Sequence, residues 1–271
     1  MSVDVFLMCK DEQRYLAEWM HHYLDVLGFE KAWLYDNESK PPLQFDDPRV
    51  EIVRWPGRGV KLAACMDCCQ RCSVRGTSWL GMFDTDEFLV LRQDANVRQF
   101  LARFPSARGV AVNWKLFGAS GRKTPPRSVV RGFVHRSRVD CCLSGHVKLF
   151  VRPEEVVGFC NPHQALFRSD GPLASFKGTV NTRGEPVTSH ESLPPQWDVA
   201  CLNHYIIRSE QEWYEKLVRG RDDGGQPYPD IFAQYDVAFR EFDDEILRAH
   251  YPNVTIEEPC PALTARPAAA N

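Results

Sequence analysis

Four apolar runs fall within the first 91 residues, and the lengths of chain between them limit the possible folds more than any other feature. "VDVFLMCK" (3–10), "KAWLYDN" (31–37), "VEIVRW" (50–55) and "SWLGMFDTDEFLVL" (78–91) each read as a buried strand. Between the first two, "DEQRYLAEWMHHYLDVLG" (11–28) sets Leu16, Trp19, Met20, Tyr23, Leu24 and Leu27 at helical spacing. Asp11 and Glu12 suit the positive N-terminal end of that helix, and Gly28 stops it. A second helix, "KLAACMDCCQRCSV" (61–74), separates the last two runs. Strands alternating with helices at this interval form βαβ units, and hence an α/β chain with a parallel sheet. Ligands of such sheets bind beyond the carboxyl ends of the strands. Three polar clusters fall at those ends: Lys10-Asp11-Glu12, Asp36-Asn37 and Asp84-Thr85-Asp86-Glu87.

After about residue 105 the elements shorten. "RGVAVNWKLFG" reads as a strand and "ASGRKTPPRS" as a basic loop. "GHVKLFVRPEEVVGF", "NPHQALF" and "CLNHYIIRS" read as shorter strands and turns. A helix over 210–221 is capped by Ser209, and 231–251 reads as mostly helical. The expected organisation is a main domain over 1–221, a helical extension over 222–258 packed on it, and a disordered tail over 259–271.

A net charge of −3 excludes a general polyanion binder. No apolar stretch reaches the length of a membrane span, and "MSVDVFLMCKDE" lacks a basic segment before its apolar run. A cytoplasmic enzyme without a signal peptide is therefore expected, with peripheral membrane contact still open to it. "CMDCCQRC" places Cys65, Cys68, Cys69 and Cys72 at i, i+3, i+4 and i+7. That is one stripe of a helix. Zinc knuckles put their cysteines on turns, with the second pair well separated, so the spacing favours four buried thiols over a metal knuckle. In a reducing cytosol Cys141 and Cys142 are also expected as thiols.

The run at 78–91 carries three acids between apolar flanks. On a continuous strand Asp84 and Asp86 point to one face and Glu87 to the other. Two carboxylates on one face suit a hard divalent cation, Mn²⁺ or Mg²⁺, whose shell is completed by phosphate oxygens. That points to a nucleotide diphosphate. The alternative is a solvated turn between two short strands. Lys148 and Arg152, if they share a face, could neutralise a departing diphosphate; the alternative is a solvated edge strand. Lys61 could reach a phosphate or a base, or could simply begin its helix.

Five segments in order resemble the glycosyltransferase family 92 and family 2-like group. They are "CKDEQRYLAEWMHHYLDVLGFEKAWLYDNES", "FDTDEFLVL", "NWKLFGASG", "HVKLFVRPEEV" followed by His163, and "LNHYIIRSEQEWYEKLVRG". The similarity spans about residues 4–221. It implies a GT-A type, Rossmann-like mixed but mostly parallel sheet flanked by helices, a nucleotide-sugar donor such as a UDP-sugar, a divalent metal and inversion at the transferred sugar. By the same resemblance Asp84 lies near the donor ribose and the metal, Asp86 ligates the metal, and His204 completes its shell. Glu12 and Asp36 line the nucleoside pocket, with Asp36 accepting a hydrogen bond from a uracil N–H; an ordinary turn at Asp36-Asn37 is the other reading.

An inverting transfer needs a base for the acceptor hydroxyl. Asp140, Asp170, Glu191, Asp198 and His163 all follow the metal motif, and the sequence does not choose among them. Trp114, Phe117, Trp197 and Trp213 could stack on a sugar ring or serve as packing. The acceptor would be a polysaccharide, a lipid-linked glycan or a protein. Two other classes compete. A nucleotidyltransferase would also use paired Asp and a metal, but "MCKDEQRYL" lacks the Gly-rich phosphate loop such enzymes carry. A non-catalytic nucleotide-sugar or glycan-binding module could keep the fold without transferring anything.

Overall fold

The computed structural model describes residues 1–168, 177–220, 231–239 and 241–243. In chain order the elements are β1 (Val3–Cys9), α1 (Gln13–Met20), β2 (Lys31–Asp36), β3 (Val50–Arg54), α2 (Lys61–Arg75), β4 (Trp79–Met82), β5 (Glu87–Leu91) and α3 (Val97–Ala102). There follow β6 (Gly109–Leu116), α4 (Val129–Gly132), β7 (His135–Arg136), β8 (Val147–Val151), β9 (Val156–Asn161), β10 (Gln164–Phe167), β11 (Thr179–Asn181) and β12 (Ala200–His204). Last come α5 (Glu210–Arg219), α6 (Ile231–Ala238) and β13 (Glu241–Phe242). The chain divides into two compact units: Met1–Lys115 with Asp140–Asn203, and Leu116–Val139 with the described residues from His204 onward. The second unit thus draws residues 116–139 from within the expected 1–221 domain.

The first unit is built on a nine-stranded sheet ordered β3-β2-β1-β4-β8-β6-β12-β5, with β11 added on β6. The pairs β3–β2, β2–β1, β1–β4 and β11–β6 are parallel, whereas β8 lies antiparallel between β4 and β6. This is the α/β fold with a mostly parallel sheet flanked by helices that the strand–helix alternation predicts.

Period-two alternation sorts the side chains. Phe6, Met8, Trp33, Tyr35, Leu80 and Met82 pack with the cysteine stripe of α2. Phe83 meets both Phe150 and Tyr23, which follows α1. All four α2 cysteines are buried and free. Burial pushes the Cys65 thiol up to about 12 and those of Cys68 and Cys69 well above their usual value, which keeps them protonated in the packed stripe. Alkylation of the native protein, read by mass mapping, is expected to label the exposed Cys142 and Cys160 and to spare the α2 stripe until the chain unfolds. Labelling of the stripe at the same rate would contradict this packing.

α1 is half the expected length as an α-helix. It continues as one π-helical stretch over His21–Val26, and Gly28, at φ 78°, ends it.

The second unit holds α4, α5 and α6 with the β7–β13 pair. Ser209 caps α5 in a reciprocal box with Glu212, as the Ser-x-x-Glu spacing predicts. Trp213 packs with Ala119, Ile207 and Phe232. Of the expected helix over 231–251, α6 ends at Ala238, and residues 240 and 244–251 lie outside the described residues. Glu241 and Phe242 are extended instead, because they pair antiparallel with Arg136 and His135 while Arg136 binds the Glu241 and Asp243 carboxylates. The expected tail at 259–271 lies outside the described residues.

Candidate active site

The acid cluster sits where β4 ends, but not on a continuous strand. β4 stops at Met82 and β5 begins at Glu87, so Phe83–Asp86 form the connection between them. The period-two argument for Asp84 and Asp86 facing one way therefore does not apply. The turn closes on itself: the Asp84 amide donates to Glu87 Oε2 (2.8 Å) and the Glu87 amide donates to the Asp84 carbonyl (3.1 Å).

The helix after β1 holds this turn from one side. The Trp19 indole donates to the Asp84 carbonyl (3.0 Å), and the Tyr23 hydroxyl donates to the Glu87 carbonyl (3.0 Å). His22 Nε2 lies 2.8 Å from the Leu89 carbonyl. Trp19, His22 and Tyr23, at i, i+3 and i+4, thus share one face and grip the backbone of the acidic turn.

Two lysines converge on Asp84. Lys61, the first residue of α2, places Nζ 2.5 Å from Oδ1, and Lys148 of β8 places Nζ 2.6 Å from Oδ2. Lys148 is only 3% exposed and also lies 3.4 Å from Glu87 Oε2. Burial opposes the charge on Asp84, but Lys148 and Lys61 outweigh it and hold the carboxyl well below the usual range. Burial likewise opposes the Lys148 charge, and Asp84 and Glu87 reverse it, so the ammonium is held above its ordinary value. Glu87, which sequence reasoning left without a role, is completely buried and accepts from the Trp114 indole (2.9 Å) as well. It anchors Lys148. No pattern in the sequence could have paired it, because Trp114 and Lys148 reach it only through the β6–β8 register of Val112 opposite Lys148.

Arg152 does not share this site. β8 runs antiparallel to β4, so its far end meets the start of β4 rather than the acidic turn. There the Arg152 guanidinium lies over the Trp79 ring and donates to the carbonyls of Ala107 and Pro105. Asp36 is also spent structurally. Its carboxylate, 2% exposed, accepts from the amides of Ser39 and Leu43 and from Arg54, which ties down the loop after β2. Glu12 is half-buried at the N-cap of α1.

Of the predicted bases, Asp198 is paired with Arg183 (3.0 Å) at the surface, Asp140 lies in an exposed turn, and Asp170 is outside the described residues. His163 Nδ1 lies 2.7 Å from the Val147 carbonyl, which can only accept, so Nδ1 carries the proton. Burial and then the neighbouring Lys148 push its pKa down to about 3, so the ring stays neutral and is a weak base. Glu191 Oε1 lies 3.4 Å from His146 Nδ1. The His146 and His163 rings both contact Trp114. His204 ends β12 and belongs to the second unit. Trp114, Phe117 and Trp213 are buried, and the Trp197 indole donates to the Trp114 carbonyl (3.0 Å), so these aromatics serve as packing.

The His163 shift has a sign that can be tested. The unfolded ring takes up a proton near its ordinary 6.5 and the folded ring only near 3, so stability falls as pH drops through that window. Urea midpoints are expected to fall from pH 7 to pH 5 in the native protein and to fall less in His163→Gln. Equal losses would contradict the buried neutral ring.

A divalent cation can be weighed against this donor set. Asp84, Asp86 and Glu87 carry three negative charges against two on Lys61 and Lys148, and Asp86 lies within electrostatic reach of both Asp84 and Lys148. The surplus of one negative charge would repel a diphosphate. One divalent cation reverses its sign. Lys148 is fixed by Glu87, but Lys61 is a quarter exposed at a helix start and can turn away from Asp84 Oδ1. A cation held by Asp84 and Asp86 would therefore take the place of Lys61 at Oδ1.

No family model and no curated protein matches the sequence. Among solved structures, S. aureus TarS 1–349 aligns at 12% identity over 56% of this chain and 47% of its own, with a TM-score of 0.35. The same fragment in complex with UDP-GlcNAc aligns at 11% over 56% and 46%, with a TM-score of 0.34. Mannose-1-phosphate geranyltransferase from Thermus thermophilus aligns at 14% over 56% and 50%, with a TM-score of 0.30. Each alignment thus spans about half the length of the matched structure, and TM-scores this low add nothing to the strand order described above.

Proposed function

We propose that the chain is a GT-A type glycosyltransferase that moves a hexose from a nucleotide-diphosphate sugar, with UDP as the nucleotide, to a hydroxyl of a glycan or other acceptor, with inversion. The observation that carries this reading is the convergence of Lys61 and Lys148 on Asp84 beyond the carboxyl end of β4, where sheets of this kind bind ligands. In such a transfer the acceptor oxygen bonds to the anomeric carbon, the bond to the diphosphate oxygen breaks, and the diphosphate leaves with the electron pair. The main task of the protein is to stabilise that departing charge.

Lys148 supplies a fixed positive charge, buried and locked by Glu87. Lys61 supplies a movable one. Asp84 and Asp86 would hold Mn²⁺ or Mg²⁺, which when bound adds positive charge at the leaving diphosphate. Among the described residues around Trp114 the Glu191 carboxylate would take the acceptor proton, and Nε2 of His163 is the poorer acceptor because its basicity is suppressed. The acceptor would be a polysaccharide, a lipid-linked glycan or a protein. No helix among the described residues is long and apolar enough to cross a membrane, so a lipid-linked acceptor would be met at a membrane surface.

A panel of nucleotide sugars with and without Mn²⁺, read by thermal shift, tests the assignment. At about 100 times Kd a ligand stabilises by roughly 2.7 kcal/mol, which corresponds to an upward shift of roughly 5 °C or more in a chain of this size. One UDP-sugar is expected to give that shift only with the metal. No shift with any donor would sink the proposal, and a shift with nucleoside triphosphates instead would favour nucleotidyl transfer.

A further inference from the structure

Among the described residues, one group of three potential metal ligands places its donor atoms within 4.8 Å of one another: His146, His190 and Glu191. It is a separate cluster from the acidic turn, and its chemistry differs. Two imidazoles and one carboxylate make a borderline set, suited to Zn²⁺ or Co²⁺ more than to Mg²⁺.

The backbone builds the cluster. His146 and Glu191 face each other in an antiparallel bridge. The Val147 amide donates to the His190 carbonyl (3.3 Å) and the Ser192 amide to the Gly145 carbonyl (2.8 Å). The Asn113 side-chain amide donates to the carbonyls of Gly145 and Ser192 and clamps the two segments together. Gly145 allows the approach, since a Cβ there would come within 2.7 Å of Leu193. The His146 ring is stacked on Trp114, with ring centroids 5.2 Å apart and planes 10° apart, so its plane is set.

The spacing fits a tetrahedral ion. Metal–nitrogen and metal–oxygen bonds of about 2.0–2.2 Å give ligand separations of roughly 3.3–3.5 Å. His146 Nδ1 and Glu191 Oε1 are already 3.4 Å apart. That is longer than a closed charge-assisted hydrogen bond of about 2.7–2.9 Å. His190 is exposed, and its ring centroid lies 5.3 Å from that of His146, so a side-chain rotation brings its nitrogen in. Three protein ligands leave one position to solvent.

We propose that His146, His190 and Glu191 bind one divalent transition-metal ion of the zinc class. The site stands whether or not the chain transfers a sugar. When it is filled, Glu191 is a ligand and no longer available as the base.

The test is Co²⁺ titration of the full chain after chelator dialysis, read by absorption and by metal content. The expected result is one tightly bound Co²⁺ with the stronger visible d–d bands of a four-coordinate ion and without the intense near-ultraviolet band of a thiolate complex. His190→Ala, at an exposed residue, and the isosteric Glu191→Gln, at a half-buried one, should match the native protein in metal-free melting and are expected to weaken binding tenfold or more. Asp84→Asn is expected to leave it unchanged. Native-strength binding by His190→Ala and Glu191→Gln, a thiolate band, loss of the site in Asp84→Asn, or no Co²⁺ bound would each overturn the proposal.

Discussion

Replacing Lys148 by methionine is expected to lower sugar transfer by about 10²–10³-fold, the range seen when one preorganised donor to a developing anion is removed. The same change should cost about 3–5 kcal/mol of stability, because it leaves buried acids without their cation. Glu87 is completely buried and has Lys148 as its ammonium neighbour, while Asp84 would keep only Lys61. Lys61→Met separates the two effects. Lys61 is a quarter exposed and pairs with Asp84 at Oδ1, so that variant should lose turnover while its unfolding free energy changes by no more than about 1 kcal/mol. If both variants lost stability equally and turnover not at all, the lysines would be structural and the active-site reading would fail.

Asp84→Asn carries the second large effect. The amide cannot hold two ammoniums or ligate a cation, so turnover should fall by about 10²-fold or more. The dependence of the remaining activity on Mn²⁺ should weaken as well. Acid should act on the native protein in the same sense. The Asp84 carboxyl is held below its ordinary value, so the stability its charge contributes is present above the unfolded pKa of 3.8 and lost as pH falls through the lower folded value. A variant that kept both its rate and its Mn²⁺ response would remove Asp84 from the metal site.

Much of the frame could be read from the sequence, because it rests on local periodicity. The i, i+3, i+4, i+7 cysteines could only line one helix face, and they do. The Ser209 cap is likewise a pattern within four residues. The site was harder to read, because it is assembled across strands. Asp84, Lys61 and Lys148 were each visible as chemistry, but their meeting depends on β8 entering antiparallel beside β4, which a βαβ pattern does not foretell. The same reversal carries Arg152 to the other end of the strand, where it lies over Trp79. "WLGMFDTDEFLVL" reads as one strand because its apolar flanks are continuous. The break at Phe83–Asp86 is imposed by Trp19 and Tyr23 gripping the turn from a helix some 65 residues earlier. The family resemblance makes Asp36 a pocket acid and an ordinary turn is the other reading; its carboxylate holds the loop after β2.

The most direct measurement is UDP release from the donor picked out by the nucleotide-sugar panel, with Mn²⁺ present and an acceptor or water as the second substrate, compared across the native chain, Lys61→Met, Lys148→Met and Asp84→Asn. The predicted result is metal-dependent release by the native chain and a loss of about 10²-fold or more in Lys148→Met and Asp84→Asn, with a smaller loss in Lys61→Met. Release at the native rate by all three variants, or no release from any UDP-sugar by the native chain, would contradict a diphosphate held at Lys61, Asp84 and Lys148.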